Sequence, residues 1–138
     1  MNLEELRQKA ITFIGSIPKG RIPEALIAPE FFSWSGISGV VERDEYLRRV
    51  GVIGQVFTGE GLKFTFDRTT AEGNSVALQV RGEGTLFNGE HYTQSYLFVV
   101  EFNDAGQVRH VREYIDTHIV HTMLRPAMER WTRENATA

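Results

Sequence analysis

The chain has 138 residues and a mass of 15.7 kDa, and it reads as one domain spanning 1–138, long enough to bury a core of its own. Fifteen Lys and Arg against eighteen Asp and Glu leave a net charge of −3 with no basic run beyond Arg48-Arg49, which excludes an electrostatic nucleic-acid binder. With no cysteine there is no disulfide framework, thiolate metal site or cysteine nucleophile, and with no apolar run near the ~20 residues of a membrane helix the expectation is a cytoplasmic protein without membrane contact.

Leu3, Leu6, Ala10, Phe13, Ile14 and Ile17 recur at spacings of three and four, which predicts an amphipathic helix closed by Pro18. Pro23 opens a short apolar stretch through Leu26 and Ile27, Pro29 interrupts it, and Phe31-Phe32-Ser33-Trp34-Ser35 has the aromatic content of a short strand. Gly36 and Gly39 mark a loop. From Glu42 onward Tyr46, Leu47, Val50, Ile53 and Phe57 return to helical spacing, and Gly51 and Gly54 within it suit close packing of a helix on a sheet. Residues 62–70, 75–87, 90–102 and 107–116 are rich in β-branched and aromatic side chains and predict a meander of long strands. Strands of about twelve residues would span roughly 40 Å, so they must bend, with Gly82 and Gly84 as bending points. After Asp116, Ile119, Val120, Met123, Leu124, Ala127, Met128 and Trp131 predict a helical tail over 119–138 that caps the sheet's mouth or reaches a partner, fraying over 135–138.

Asn88-Gly89 reads as a two-residue type I′ turn. With Phe87 facing Glu90, the register then places Arg81 opposite Tyr96, Glu83 opposite Gln94, Gln79 opposite Phe98 and Thr85 opposite Tyr92 on one face. The other face carries Leu78, Val80, Leu97 and Val99, apolar area that suits a homodimer formed by sheet packing. Whether Tyr114 and Asp116, or instead Glu113 and Ile115, join the Arg81 face depends on the register across the 103–106 connection. The expected architecture is α+β: a strongly curved antiparallel sheet wrapped as a cone on the N-terminal helices, with a hollow suited to a small molecule.

Several segments carry a family resemblance: Glu72-Gly73-Asn74 followed by Ser75-Val76-Ala77-Leu78, then Gly84-Thr85 before Asn88-Gly89. They continue through Phe102-Asn103-Asp104-Ala105-Gly106-Gln107-Val108 to Arg112-Glu113-Tyr114-Ile115-Asp116. Together they resemble the nuclear transport factor 2-like superfamily and its SnoaL-like, limonene epoxide hydrolase-like and ketosteroid isomerase-like branch. That resemblance implies a cystatin-like α+β barrel, no cofactor, and either acid/base chemistry of the epoxide hydrolase, isomerase or cyclase type on an apolar substrate, or a non-catalytic module for ligand binding or dimerisation.

The hydrolase pattern of an Asp-Arg-Asp set falls here on Arg81-Gly82-Glu83 and Tyr114-Ile115-Asp116. It implies Asp116 as general base, Glu83 as protonated acid and Arg81 as their bridge. The plainer reading makes Arg81 and Glu83 a structural ion pair and Asp116 the start of a helix. The hydrolases' Tyr-x-Asn is missing from Phe32-Ser33-Trp34-Ser35, and no carboxylate stands between Phe31 and Val41 for an isomerase base. Cyclase-like chemistry would draw on Asp116 or Glu83 with His118 or His91. Tyr96, Tyr114, Trp34, Phe32, Phe98, Gln94 and Tyr46 are the candidate contacts for a small apolar or ring-shaped ligand. His110, His118 and His121 invite a metal hypothesis, but spacing of three is common by chance and no metal is expected.

Overall fold

The first apolar stripe folds into α1 (Leu3–Ser16) in the computed structural model, which describes residues 1–136. Asn2 caps it by accepting the Glu5 amide hydrogen at 2.8 Å, and Leu6, Ala10, Phe13 and Ile14 are buried. β1 (Ile27–Ser35) and β2 (Gly39–Glu42) form a hairpin, α2 (Arg43–Val56) follows, and four strands complete the sheet: β3 (Lys63–Glu72), β4 (Ser75–Thr85), β5 (His91–Phe102) and β6 (Val108–Ile115). The expected loop after Gly36 is thus short, and Gly39 already belongs to a strand.

The six strands lie in the order β2-β1-β6-β5-β4-β3. Every neighbouring pair is antiparallel except β1 and β6, which run parallel. The architecture is the expected open, curved α+β sheet, and the correction is that it is mixed. The first and last strands are joined through α2 and the whole meander, a connection long enough to let them run parallel. Among the described residues no helix is long and apolar enough to cross a membrane.

α1 and α2 cover the inner face, whose core includes Val76, Leu78, Val80, Phe98, Val100 and Val111. α2 approaches the turn after α1 closely: a Cβ on Gly54 would stand 2.6 Å from the Gly20 Cα. After β6, Asp116 turns the chain into a C-terminal helix made of α3 (Thr117–Ile119), a π-helical stretch (Val120–Leu124) and α4 (Arg125–Asn135). The widened turn precedes Pro126, whose ring crowds the carbonyl four residues back and which has no N–H to close an α-turn. Of the 135–138 stretch expected to fray, 137–138 lie outside the described residues.

The hairpin between β4 and β5 corrects the predicted register. The loop has three residues, not two: the Gly89 amide donates to Leu86 O at 2.8 Å and the Leu86 amide to Glu90 O at 2.9 Å. Only Gly89 takes a positive φ, 91°, whereas a type I′ turn would need one at Asn88 as well. Asn88 instead accepts the Glu90 amide hydrogen at 3.0 Å. The extra loop residue shifts the pairing by one, so that Val80 faces Tyr96 and Arg81 faces Ser95. A shift of one exchanges the faces of a strand: Leu78 and Val80 point to the core, while Arg81 and Glu83 are exposed on the outer face.

Candidate functional site

The inner sheet face, α2 and the C-terminal helix enclose a cavity of about 600 Å³. Side chains alternate along a strand, so β5 contributes Tyr96 and Phe98, and β6 contributes Val111, Glu113 and Ile115. Tyr96 pairs with Ile115 and Phe98 with Glu113, which settles the alternative left open by the sequence: Glu113 and Ile115 face inward, and Tyr114 does not. α2 adds Tyr46, Val50 and Ile53, and Val120, Leu124 and Met128 of the C-terminal helix lie across the other side. The tail that was expected to cap the mouth therefore packs over this cavity.

Glu113 is the carboxyl group set among these apolar walls. Burial disfavours its charged form and pushes its pKa up to about 7. Two phenols accompany it. The Tyr46 hydroxyl is buried without a hydrogen-bond partner, and burial, then the neighbouring Glu113 charge, raises its pKa. The Tyr96 and Tyr92 hydroxyls are 2.8 Å apart. Burial pushes Tyr92 up to about 12, and Tyr96 is raised by burial first and by Tyr92 and Glu113 after it. All three phenols are thus neutral donors at physiological pH. Gly82 makes room for one of them, since a Cβ there would stand 2.9 Å from the Tyr96 ring. That close approach accounts for this glycine, which the sequence suggested as a bending point.

The residues expected from the sequence divide between the two faces. Tyr96, Phe98 and Tyr46 line the cavity, whereas Trp34 only borders it: it shares the strand parity of Phe32, and its ring packs 5.4 Å from that of Tyr114. Phe32 and Tyr114 belong to the outer face, where Phe32 covers the buried His110 at 4.1 Å between ring centres. Arg81, Glu83, Gln94 and Asp116 do come together, but at a separate groove of about 280 Å³. There Arg81 makes two hydrogen bonds of 2.8 Å to Asp67, the extra residue of a β3 bulge. Glu83 lies 3.6 Å from His91. Asp116 caps the C-terminal helix, accepting the amide hydrogens of His118 at 3.0 Å and Ile119 at 3.4 Å. Gln94 bridges to the Asp116 backbone, donating to its carbonyl and accepting from its amide at 3.1 Å each.

The expectation that Arg81, Glu83 and Asp116 share a dry cavity with Tyr96 and Tyr114 is therefore corrected: the one-residue shift between β4 and β5 turns Arg81 and Glu83 away from Tyr96, and the register between β5 and β6 brings Glu113 and Ile115 inward in place of Tyr114 and Asp116. Glu113 is the residue the motif comparison passed over. Its signal was present in β6, where a carboxylate stands between Val111 and Ile115 on the apolar set of an alternating strand.

No protein-family model matches this sequence, and neither does any curated protein. Solved structures do match. A protein described as a SnoaL-like polyketide cyclase from Jannaschia sp. CCS1 aligns over 86% of this chain and 90% of its own with a TM-score of 0.72 at 18% identity. An LEH-like epoxide hydrolase of M. tuberculosis aligns over 96% and 98% with a TM-score of 0.70 at 12% identity. An NTF2-like protein from Burkholderia xenovorans LB400 aligns over 88% and 96% with a TM-score of 0.65 at 15% identity. At these identities the likeness is one of fold.

Proposed function

Starting from the nuclear transport factor 2-like fold that this chain has, we propose that it is a small-molecule enzyme working by proton transfer in the cavity, with Glu113 as the base. One observation carries the reading: the buried Glu113 carboxyl group, its pKa near 7, faces an apolar cavity beside the phenols of Tyr46 and Tyr96, whereas Glu129, the other acid on the lining, is exposed on α4. A base poised near the working pH is the efficient one. The phenols supply what the base lacks, neutral hydroxyl donors for an oxygen that gains negative charge when a neighbouring carbon gives up its proton.

This arrangement favours carbon-acid chemistry over epoxide hydrolysis. The hydrolytic set needs two carboxylates sharing an arginine, and Arg81, Glu83 and Asp116 line the outer groove. In the proposed reaction Glu113 takes a proton from the carbon next to a carbonyl, the electron pair moves to the carbonyl oxygen, and Tyr46 or Tyr96 hydrogen-bonds that oxygen. Return of the proton at another carbon gives isomerisation. Attack of the enolate carbon on a second carbonyl of the same molecule, with the resulting alkoxide taking back the proton held by Glu113, gives cyclisation. The aromatic walls suit a substrate with an apolar, ring-shaped body.

The test is exchange of carbon-bound hydrogen for deuterium in a panel of enolisable cyclic ketones, followed by NMR in heavy water. Exchange that depends on Glu113 supports the reading. Binding without exchange in any member favours a carrier of the same ligands.

The outer sheet face supports a proposal about assembly. Phe32, Leu97 and Tyr114 are 40%, 37% and 48% exposed there, more apolar area than scattered surface residues supply. We propose that a second copy of the chain covers it. Leu97 was expected on this face, but Leu78 and Val80 turn into the core.

A further inference from the structure

The cavity opens between helices that carry a concentration of positive charge. Arg48 and Arg49 of α2 and Arg125 and Arg133 of α4 are all lining residues, and Glu129 is the one acid there besides Glu113. The chain as a whole has a net charge of −3, so this rim runs against the average. Glu45 holds Arg48 by hydrogen bonds of 2.8 and 2.7 Å and Arg49 by one of 2.8 Å. One carboxylate thus serves two guanidiniums and leaves positive charge over. Among the described residues neither Arg125 nor Arg133 forms an ion pair: Glu134, the acid beside Arg133 in sequence, is held by Arg130 at 3.1 Å, and Glu129, one turn from each arginine on α4, is exposed and bonds to neither. Arg125 is also half-buried, and a half-buried guanidinium that no carboxylate hydrogen-bonds is costly to keep.

Below the rim the cavity is apolar, with Phe64, Phe98 and Ile53 on its walls. We propose that the ligand of this cavity is amphiphilic, an apolar ring body that enters among those walls and an anionic substituent, carboxylate or phosphate in class, that stays at the mouth on Arg125 and Arg133. The inference rests on the reading of the cavity as a ligand site and adds the charge of the ligand. Guanidinium forks match such anions with paired hydrogen bonds. A positive rim on a low-dielectric hollow also draws anions in. Holding the anion at the mouth keeps it from Glu113, whose ionisation a buried negative charge would oppose.

Two fluorescent probes separate the terms: 8-anilinonaphthalene-1-sulfonate and the neutral N-phenyl-1-naphthylamine share one ring body and differ by the sulfonate. The expected result is that the anionic probe binds about tenfold more tightly at low salt, in line with hydrogen bonds to charged groups, and that about 0.5 M salt narrows the gap. Arg125→Gln combined with Arg133→Gln should weaken the anionic probe about tenfold and leave the neutral one unchanged. Ile53→Trp, which fills the cavity from α2, should abolish both signals. Equal affinity for the two probes, or an anionic affinity indifferent to the arginine replacements, overturns the inference and leaves the cavity reading standing. Failure of both probes to bind, or binding that survives Ile53→Trp, overturns the cavity reading and this inference with it.

Discussion

Glu113 stands directly opposite Phe98 across the β5–β6 pair, and the two side chains enter the same cavity wall. Because burial raises the carboxyl pKa from 4.5 to about 7, the folded chain holds a proton there, between those values, that the unfolded chain releases. The contribution to stability is full below pH 4.5, falls as pH rises to about 7, and is lost above it, a change on the order of 3 kcal/mol. Denaturant unfolding at pH 5 and pH 8 should show this loss in the parent chain, and Glu113→Gln should remove that part of the slope. An unchanged slope in the variant would place its source elsewhere.

Tyr46→Phe should separate stability from function. Its hydroxyl is buried and unpartnered, so removing it relieves a desolvated polar group and should raise stability by about 1 kcal/mol. If the same hydroxyl receives the developing charge of a substrate, turnover falls about 100-fold. Thermal unfolding together with the deuterium exchange assay reads both, and a variant that loses stability and keeps full exchange contradicts the assignment.

The two glycines of α2 should respond in opposite directions to alanine. A Cβ at Gly51 meets nothing within 4 Å, so Gly51→Ala should gain about 1 kcal/mol of helix propensity. At Gly54 the same atom would press on Gly20 at 2.6 Å, backbone against backbone. Gly54→Ala should therefore cost about 1–3 kcal/mol. Chemical denaturation of the two variants checks the contrast, and equal effects would show that α2 does not sit where Gly20 needs it.

For the outer face, sedimentation of the parent chain at micromolar concentration should give twice the 15.7 kDa chain mass. Leu97→Glu with Tyr114→Glu places charges in the exposed apolar patch and should return the single-chain mass with the fold unchanged by circular dichroism. A parent chain that already sediments at 15.7 kDa would end the dimer proposal.

The helices, the long strands and the fold itself were legible because their signals are repetitive: Leu6 to Ile17 at helical spacing, and strands dense in β-branched residues. The site was not, because it hangs on two registers, one set by a single loop residue between β4 and β5 and the other by the 103–106 connection between β5 and β6. A turn read as two residues at Asn88-Gly89 put Arg81 and Glu83 inward, whereas the alternation of Val76, Leu78, Val80 and Gly82 already argued for the other face. In β6 the motif drew attention to Tyr114 and Asp116, and the strand's own period pointed to Glu113. Where a carried-over motif and a strand's alternation disagree, the alternation reports burial directly, because it follows from the pleat. The arginine rim was hidden for another reason: Arg48 and Arg125 lie far apart in sequence, and only the packing of α4 beside α2 gathers them.

The most direct test of Glu113 as the proton acceptor is its own titration. With ¹³C-labelled glutamate in the chain, the side-chain carboxyl resonances can be followed by NMR from pH 3 to pH 9, and Glu113→Gln identifies the one that matters. A midpoint near 7 for that resonance, well apart from the other glutamates, is the expected result. A midpoint at the ordinary 4.5 would mean that Glu113 is solvated and fully charged at neutral pH, and it would contradict the account.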